Sequence, residues 1–335
     1  MREIGSEFWD VPAGKMNRIF AEGTQWYLSG RSALQAIIKD LDGAKTVAMP
    51  SWCCDSMVKP FTDAGLKVDF YPVYWKDLLI QEMKWDSDVL FVMDYFGYTT
   101  TKEVKHHCII RDVTHSIFSY GYSDADYYFG SLRKWCGVWT GGYAWTKDGH
   151  NLVMGKTDIE NYVNFRKKAM DLKNCYVNGY ADSKGKKVED KAFLKYYEKA
   201  EEQLEHTGIA PAKDRDVFLA DRLDVEFVKR RRRANAKLLM KAFESQLIFP
   251  ELKDTDCPMF VPILVPGGRR DELRRYLIEN EIYCPIHWPV SDRCRLNKRT
   301  ESLYRNELSL VCDQRYTEED MMRMIETIIR FWKVG

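Results

Sequence analysis

Residues 109–147 read IIRDVTHSIFSYGYSDADYYFGSLRKWCGVWTGGYAWTK. The stretch opens with an apolar run that predicts a buried strand, which ends at Asp112 with His115 shortly after it. Lys134 follows inside Ser-Leu-Arg-Lys-Trp. Pyridoxal phosphate needs an amine to form an imine with its aldehyde, a carboxylate to keep its ring nitrogen protonated and donors for its phosphate. The stretch therefore favours a site for that cofactor.

Composition limits the class of protein. A chain of 335 residues exceeds the usual size of one compact core, which predicts a large and a smaller domain. Hydrophobic residues make up 45% of the chain, so it can bury a sizeable core. The formal net charge of +1 argues against a general nucleic-acid or anionic-membrane binder, although a local basic patch stays open. We expect a small-molecule partner and no nucleic acid.

Cysteines and apolar runs indicate the compartment. The nine cysteines are scattered without a CxxC pair, and the first residues, MREIGSEFWD, lack an apolar signal core. The apolar runs, such as VLFVM, are of strand length and far shorter than a membrane-spanning helix needs. We therefore expect a reduced, cytoplasmic protein without membrane insertion.

Helical and strand patterns alternate in the first half of the chain. The segments RSALQAIIKDL and CDSMVKPFTDAG predict helices, whereas TVAMP, KVDFYPV, VLFVMDY and HCIIRDV predict strands. Strands separated by helix-length segments imply crossover connections and a mostly parallel central sheet between helices. Ligands of such sheets bind outside the carboxyl ends of the strands, where Asp112 and the SGRSAL turn are expected.

The second half of the chain has a different pattern. Residues 151–214 are polar and helical, with LKYYEKAEEQLEHTG as the clearest segment. The segments VEFVKRRRRANAKLLMKAF, FVPILV, IYCPIHW and EEDMMRMIETIIRFW then predict a second, smaller α+β domain. We expect an N-terminal arm over residues 1–22, a large α/β domain over 23–214 and a small C-terminal α+β domain over 215–335.

The order of several motifs resembles one enzyme family, the DegT/StrS-type sugar aminotransferases. These are fold-type-I pyridoxal phosphate enzymes that aminate keto-sugars attached to nucleotides. The resemblance covers most of the chain. It depends on SGRSAL, MPSWCCDSM, DAGLKVDFYPV, RDVTHS, SLRKW, TGGYAWT, YCPIHWP and LSLVCDQRYTEEDM in that order.

The resemblance implies an activity and partners. It implies transfer of an amino group from an amino acid, glutamate in our interpretation, to a keto-sugar in polysaccharide or cell-surface glycan biosynthesis. It also implies a homodimer whose active sites use both subunits. A related branch dehydrates sugars with histidine in place of the lysine, and Lys134 argues against it. A non-catalytic, cofactor-binding regulatory relative is a further alternative.

Three residues receive catalytic roles from the resemblance. Lys134 would carry the cofactor and transfer protons, Asp112 would pair with the ring nitrogen, and His115 would bind the ring hydroxyl. Each has a structural alternative: a lysine on a solvated loop, a strand-end aspartate that caps a turn and a satisfied core histidine. The shared order of the three residues favours the catalytic interpretation.

The SGRSAL turn is expected to bind the cofactor phosphate. Gly30 allows close backbone approach, and the amides of Arg31 and Ser32 open a helix whose positive end favours an anion. Ser131 would add a hydroxyl. The Arg31 side chain either binds the phosphate or turns away, and Gly/Ser sequences at helix starts are often only caps.

Several further assignments stay open. The resemblance places either Trp52 or Cys54 over the cofactor ring, while packing at a strand end explains Trp52 equally well. Tyr283 and His287 resemble a substrate-facing strand, and an edge strand with a buried tyrosine explains the same letters. Asn164, Arg166 and Asn178 are alternative contacts from the neighbouring subunit. The cationic run at residues 229–233 reads as a solvated helix or a subunit surface, with nucleotide binding as the minor alternative.

Overall fold

The computed structural model describes residues 3–16, 19–99, 103–119, 121, 123–183, 185–188, 190–293 and 298–334. Its strands are β1 Ile4–Gly5, β2 Gln25–Tyr27, β3 Thr46–Pro50, β4 Lys67–Tyr71, β5 Val73–Lys76, β6 Leu78–Gln81, β7 Val89–Met93, β8 Ile109–Asp112, β9 Tyr127–Ser131, β10 Gly142–Thr146, β11 Phe260–Leu264, β12 Ile282–Tyr283 and β13 Glu307–Val311. Its α-helices are α1 Gly30–Asp40, α2 Asp55–Asp63, α3 Glu160–Asn178, α4 Phe193–His206, α5 Asp214–Ala220, α6 Val225–Ala242, α7 Arg270–Glu279, α8 Lys298–Asn306 and α9 Glu318–Val334.

Two compact units make up the chain, and each is discontinuous in sequence. The first unit contains residues 1–6, 43–126 and 225–335, and the second unit contains residues 7–42 and 127–224. The boundaries expected at residues 22 and 214 stay a prediction.

The first unit contains a parallel sheet. Strand β3 pairs with β4 on one side and with β7 on the other, and β7 pairs with β8, all in parallel. All five residues of β7 and all four of β8 are buried, as expected for strands covered on both faces. Asp112 lies opposite Met93 at the carboxyl end of β8. This end of the sheet is where an open α/β sheet presents ligand-binding side chains.

Short strand pairs complete the first unit. The strands β11 and β13 form an antiparallel pair, β5 and β6 form a hairpin, and β1 pairs in parallel with β12. KVDFYPV does not form one strand, because β4 ends at Tyr71 and β5 starts at Val73 around Pro72. Proline has no N–H for a sheet ladder and therefore interrupts it. IYCPIHW likewise contributes only the two residues of β12.

The second unit combines an antiparallel sheet with helices. The strand β10 pairs with β2 and with β9, both antiparallel. Helix α1 packs on β9 and β10, and α3 packs on α4. Helix α1 begins after Ser29, whose hydroxyl accepts from the Ser32 amide, and α3 ends at Gly179 in the left-handed conformation with φ 68°. The predicted helical character of residues 151–214 is confirmed.

The described ranges were searched for membrane-spanning helices and for metal-binding clusters. No helix within them is long and apolar enough to cross a membrane. The same residues contain no group of three or more His, Cys, Asp or Glu side chains that could hold a metal ion. The helices expected at α1, α2, α6 and α9 are all present. The alternation of 3.6-residue and two-residue periods was therefore sufficient to locate them.

Candidate active site

Asp112 lies on a strand end that buried charges hold in place. The neighbouring residue, Arg111, is fully buried, and its guanidinium binds Asp94 and Asp124 at 2.7 Å each. Asp112 is also buried, and its Oδ1 atom accepts a hydrogen bond of 2.8 Å from the amide of Thr114. This bond matches the turn-capping alternative, yet a carboxylate has lone pairs for several partners. Asp112 can therefore cap the turn and still bind a protonated ring nitrogen.

His115 follows in a tight turn and is buried. Its Nδ1 atom accepts from the backbone amide of Phe96 at 3.4 Å, and its ring stacks on Trp288 with 6.0 Å between centroids. Because Nδ1 acts as an acceptor there, the proton of the neutral ring belongs on Nε2. His115 can thus donate a hydrogen bond from Nε2 to an oxygen, as the predicted role requires.

Lys134 is an exposed residue on a well-anchored turn. It ends the 3-10 helix Leu132–Lys134, which directly follows β9. The amide of Leu132 donates to the carbonyl of Gly141 at 2.7 Å, and Leu132 and Trp135 are fully buried. The turn is therefore fixed on both sides of Lys134, and Lys134 itself is exposed.

The charge of Lys134 acts on a cluster of charged side chains in the second unit. Arg166 is fully buried, its Nη2 atom lies 3.0 Å from Oε2 of Glu7, and its Nη1 atom lies 3.9 Å from Oε1 of Glu201. Arg133 also binds Glu201. Burial alone would raise the pKa of Glu7, but the positive charges of Arg166, Arg133 and Lys134 outweigh it and lower the pKa to about 2. Glu7 is therefore a carboxylate in the electrostatic surroundings of Lys134.

The predicted phosphate cradle is partly assembled in the second unit. A Cβ atom built on Gly30 would lie 3.3 Å from Cβ of Ser131, so the start of α1 and the end of β9 are neighbours. A Cβ on Gly142 would lie only 2.0 Å from the carbonyl oxygen of Ser29. Only glycine permits this close approach. The backbone around Gly30 and the Ser131 hydroxyl therefore suit a phosphate.

The other two residues expected in that cradle have partners of their own. The Ser32 amide donates to the Ser29 hydroxyl at 3.2 Å, and the Ser32 hydroxyl accepts from the Ala210 amide at 2.8 Å. The Arg31 guanidinium donates to the carbonyl of Leu204 at 3.2 Å. Of the two arrangements left open for Arg31, the structure shows this bond to helix α4. Phosphate binding by the Arg31 and Ser32 amides stays a prediction.

Trp52 packs in the core of the first unit. It is fully buried, stacks on Tyr95 with 5.0 Å between ring centroids, and donates from Nε1 to the carbonyl of His287 at 2.7 Å. These contacts match the packing alternative. Cys54 is half-buried at the start of α2, with its sulfur 2.6 Å from the Ser56 hydroxyl.

Tyr283 and His287 differ in their surroundings. Tyr283 lies on β12, is half-buried and donates from its hydroxyl to Glu281 at 2.8 Å. His287 is 8% exposed, and its ring lies against His115, with 5.9 Å between the ring centroids. The first unit thus brings His115 and His287 together, although they are far apart in sequence.

The structure bears on the candidate contacts to a neighbouring subunit and on the cationic run at residues 229–233. Arg166 is buried in its own unit with Glu7, which disfavours a role at the active site of another subunit. Asn164 and Asn178 are exposed. In the cationic run, Arg232 is buried and bonds to the carbonyl of Met259 at 2.9 Å, and Arg233 bonds to the carbonyl of Asp256 at 2.7 Å. Two arginines of the run therefore bind backbone carbonyls, which the solvated-helix interpretation did not predict.

Sequence analysis missed three polar residues, namely Glu7, Glu307 and Ser309. Glu7 gave no signal, because it belongs to none of the motifs recognised in the sequence. Glu307 and Ser309 alternate with leucines in ELSLV, a pattern that is typical of a strand with one solvated face. In the structure both are fully buried. Buried polar side chains on one strand face indicate a hydrogen-bonded network.

Comparison with known structures identifies the fold. PseC from Helicobacter pylori, an aminotransferase involved in the biosynthesis of pseudoaminic acid, aligns over 100% of this chain and 99% of its own with a TM-score of 0.62 and 14% identity. A DegT DnrJ EryC1 StrS aminotransferase from Brucella abortus aligns over 92% and 85% with a TM-score of 0.59 and 16% identity. The chain has the fold of these aminotransferases.

A third similar structure comes from Bacillus subtilis. NtdA with bound cofactor PMP aligns over 92% of this chain and 72% of its own, with a TM-score of 0.56 and 13% identity. No family model and no curated protein matches the sequence. The predicted α/β, fold-type-I class is confirmed by the structures.

Proposed function

We propose that this protein is a pyridoxal phosphate-dependent aminotransferase that moves an amino group from an amino acid to a keto-sugar. One observation carries the proposal. Lys134 extends from an anchored turn after β9, on a chain with the fold of sugar aminotransferases. Glutamate as donor, a nucleotide-linked acceptor and a cytoplasmic homodimer in glycan biosynthesis belong to the same proposal.

The residues present fit the cofactor. When bound, pyridoxal phosphate supplies an aldehyde that condenses with amines and a ring that accepts electrons. The close backbone approach at Gly30 and the adjacent Ser131 hydroxyl suit its phosphate. The buried Asp112 carboxylate suits its ring nitrogen, and the Nε2–H of His115 suits its ring oxygen.

Each residue then has one task. Lys134 would hold the cofactor through Nζ until the amino donor displaces it. Its free amine would then move a proton from a carbon of the donor to a carbon of the cofactor. Asp112 would keep the ring nitrogen protonated, and His115 would fix the orientation of the ring. Tyr283 and His287 would contact the acceptor.

The test is visible absorption spectroscopy of the full chain with pyridoxal phosphate, before and after glutamate is added. We compare the wild type with Lys134→Ala and with Lys147→Ala, a matched control at another exposed lysine of the second unit. The wild type and Lys147→Ala should show a cofactor band that glutamate converts to the aminated form. Lys134→Ala should show neither this band nor its conversion by glutamate.

The other outcomes discriminate between the alternatives. A band that depends on Lys134 but ignores glutamate and all other amino donors would favour a dehydratase or a non-catalytic binding protein. Absence of any band that depends on Lys134 would overturn the proposal. Screening of keto-sugars, free and nucleotide-linked, would then identify the acceptor.

A further inference from the structure

The strand β13 places two polar side chains inside the first unit. Glu307 and Ser309 lie on the same face of the strand, because side chains two residues apart share a face. Leu308 and Leu310 point to the opposite face, and all five residues of the strand are buried. Ser309 also donates from its amide to the carbonyl of Pro285 at 3.0 Å, which fixes the loop that carries His287 against the strand.

His287 closes a ring of hydrogen bonds with these two residues. Its backbone amide donates to Oε2 of Glu307 at 2.7 Å. The Ser309 hydroxyl lies 2.5 Å from Oε1 of Glu307 and 2.8 Å from Nδ1 of His287. Glu307 and Ser309 are fully buried and His287 nearly so. The imidazole is therefore connected to a buried carboxyl group through one hydroxyl.

The hydrogen atoms in this ring can be counted. The amide of His287 occupies Oε2, so a proton on Glu307 belongs on Oε1. A protonated Glu307 donates to Ser309, Ser309 donates to Nδ1 of His287, and the neutral ring carries its hydrogen on Nε2. When Glu307 loses that proton to solvent, Ser309 donates to Oε1 and Nδ1 donates to Ser309. The hydrogen of the neutral His287 ring then lies on Nδ1, and Nε2 carries a lone pair.

We propose that Glu307 and Ser309 are positioning residues that set, through this chain of hydrogen bonds, which nitrogen of His287 carries hydrogen. A protonated Glu307 makes Nε2 of His287 a donor, which suits a hydroxyl or carbonyl oxygen of the acceptor. An ionised Glu307 makes Nε2 an acceptor. The effect on the acceptor rests on the proposed function, whereas the exchange of hydrogen within the ring does not.

The change from protonated to ionised Glu307 falls in a pH range that experiments can reach. Burial raises the pKa of Glu307 to about 8, against smaller opposing effects from Ser309, the His287 amide and the positive charge of Arg270 on α7. The ring of His115, from the turn after β8, lies against that of His287, and the buried Cys284 thiol, next to β12, feels the charges of Glu307 and Arg274. Burial raises the pKa of Cys284 to about 12, so this thiol stays neutral throughout.

The test is nitrogen-15 NMR of the histidine rings in the full chain, labelled at histidine, at pH 7 and pH 9.5. The His287 signals are assigned by their loss in His287→Phe. In the wild type the hydrogen should move from Nε2 to Nδ1 as the pH rises. In Glu307→Gln it should stay on Nε2, because the glutamine amide donates permanently to Ser309 while its carbonyl accepts from His287.

Two variants of Ser309 complete the test. Ser309→Ala should remove the pH-dependent exchange, and Ser309→Thr, which retains the hydroxyl, should restore it. The other histidines in the same spectra report whether the fold is intact. Identical His287 behaviour in the wild type and Glu307→Gln, or an exchange that survives in Ser309→Ala, would overturn the proposal.

A second measurement separates this inference from the proposed function. The NMR spectra need neither cofactor nor substrate, so an exchange without amino transfer would refute only the proposed function. In an active enzyme, kcat/KM for the acceptor should fall by up to about tenfold between pH 7 and pH 9.5 in the wild type. That fall should be absent in Glu307→Gln. The same fall in both would contradict the link to the acceptor.

Discussion

Glu7 of the second unit and Glu307 of the first unit have opposite protonation at neutral pH. Glu7 is 44% exposed in its side chain and lies 3.0 Å from the buried guanidinium of Arg166. Its pKa is about 2, because three cations outweigh burial. Glu307 is fully buried, its strongest neighbours are uncharged groups, and its pKa is about 8. Nearby charge, rather than burial alone, decides which form a carboxyl group takes.

The two groups therefore respond to pH in opposite ranges. A lowered pKa means that Glu7 stabilises the fold fully above its ordinary pKa of 4.5, and that this stabilisation is lost as the pH falls towards 2. A raised pKa means that Glu307 remains protonated in the fold when the unfolded chain has already ionised. Its contribution therefore declines as the pH rises from about 4.5 to about 8.

The largest expected effect is that of Glu7→Leu. Removal of the carboxylate leaves the fully buried Arg166 with Glu201, 3.9 Å away, as its remaining carboxylate partner among the residues that the structure describes. Loss of one partner of a buried ion pair costs about 3–5 kcal/mol, and the partial exposure of Glu7 reduces this to about 2–3 kcal/mol. Urea unfolding at pH 7 measures the free energy of unfolding.

A matched control uses an exposed ion pair. Glu301 and Arg305 on helix α8 lie 2.5 Å apart with side chains 39% and 74% exposed. Glu301→Leu should change the free energy of unfolding by no more than about 0.5 kcal/mol. If both variants lose the same stability, the Glu7–Arg166 pair is no stronger than a surface pair.

Glu307→Gln should remove a pH dependence of the free energy of unfolding. At any single pH its effect on that free energy should be smaller than the effect of Glu7→Leu. The amide retains the hydrogen bonds to Ser309 and His287 but cannot ionise. Between pH 5 and pH 8 the wild type should lose stability relative to the variant, with a slope of at most about 1.4 kcal/mol per pH unit. Urea unfolding at several pH values measures this slope, and parallel curves would show that Glu307 ionises normally.

The smallest effect is expected from Arg270→Gln. The Arg270 charge lowers the pKa of Glu307, while its guanidinium bonds to the carbonyl of Tyr304 at 2.9 Å. Its removal should move the His287 exchange to higher pH, since one opposing charge is lost. The midpoint is read from the NMR titration. A shift to lower pH would mean that Arg270 acts on Glu307 through structure rather than charge.

The regular elements that the sequence predicted were recognisable for a local reason. Helices and strands repeat every 3.6 and two residues, so HCIIRDV and VEFVKRRRRANAKLLMKAF show their types in the letters alone. Asp112 was expected at the end of the HCIIRDV strand by the same reasoning, and it lies at the end of β8. Pro72 shows the limit, because a single proline divided one expected strand into two.

The candidate site was predictable only where its residues fall in one ordered stretch of sequence. Lys134, Asp112 and His115 could be proposed because they follow one another in a short stretch of sequence. The contact between His115 and His287 and the cation cluster at Glu7 join residues distant in the chain. Spacing in the sequence holds no information about such contacts.

The sequence by itself determined the α/β class and the types of side chain available for chemistry. Only the tertiary structure decided which of them are buried and what lies beside them. In ELSLV the letters read as a strand with a solvated face, yet packing against the His287 loop places Glu307 and Ser309 inside. Protonation depends on local solvation and on charges within a few ångströms, and these arise only when distant segments pack together.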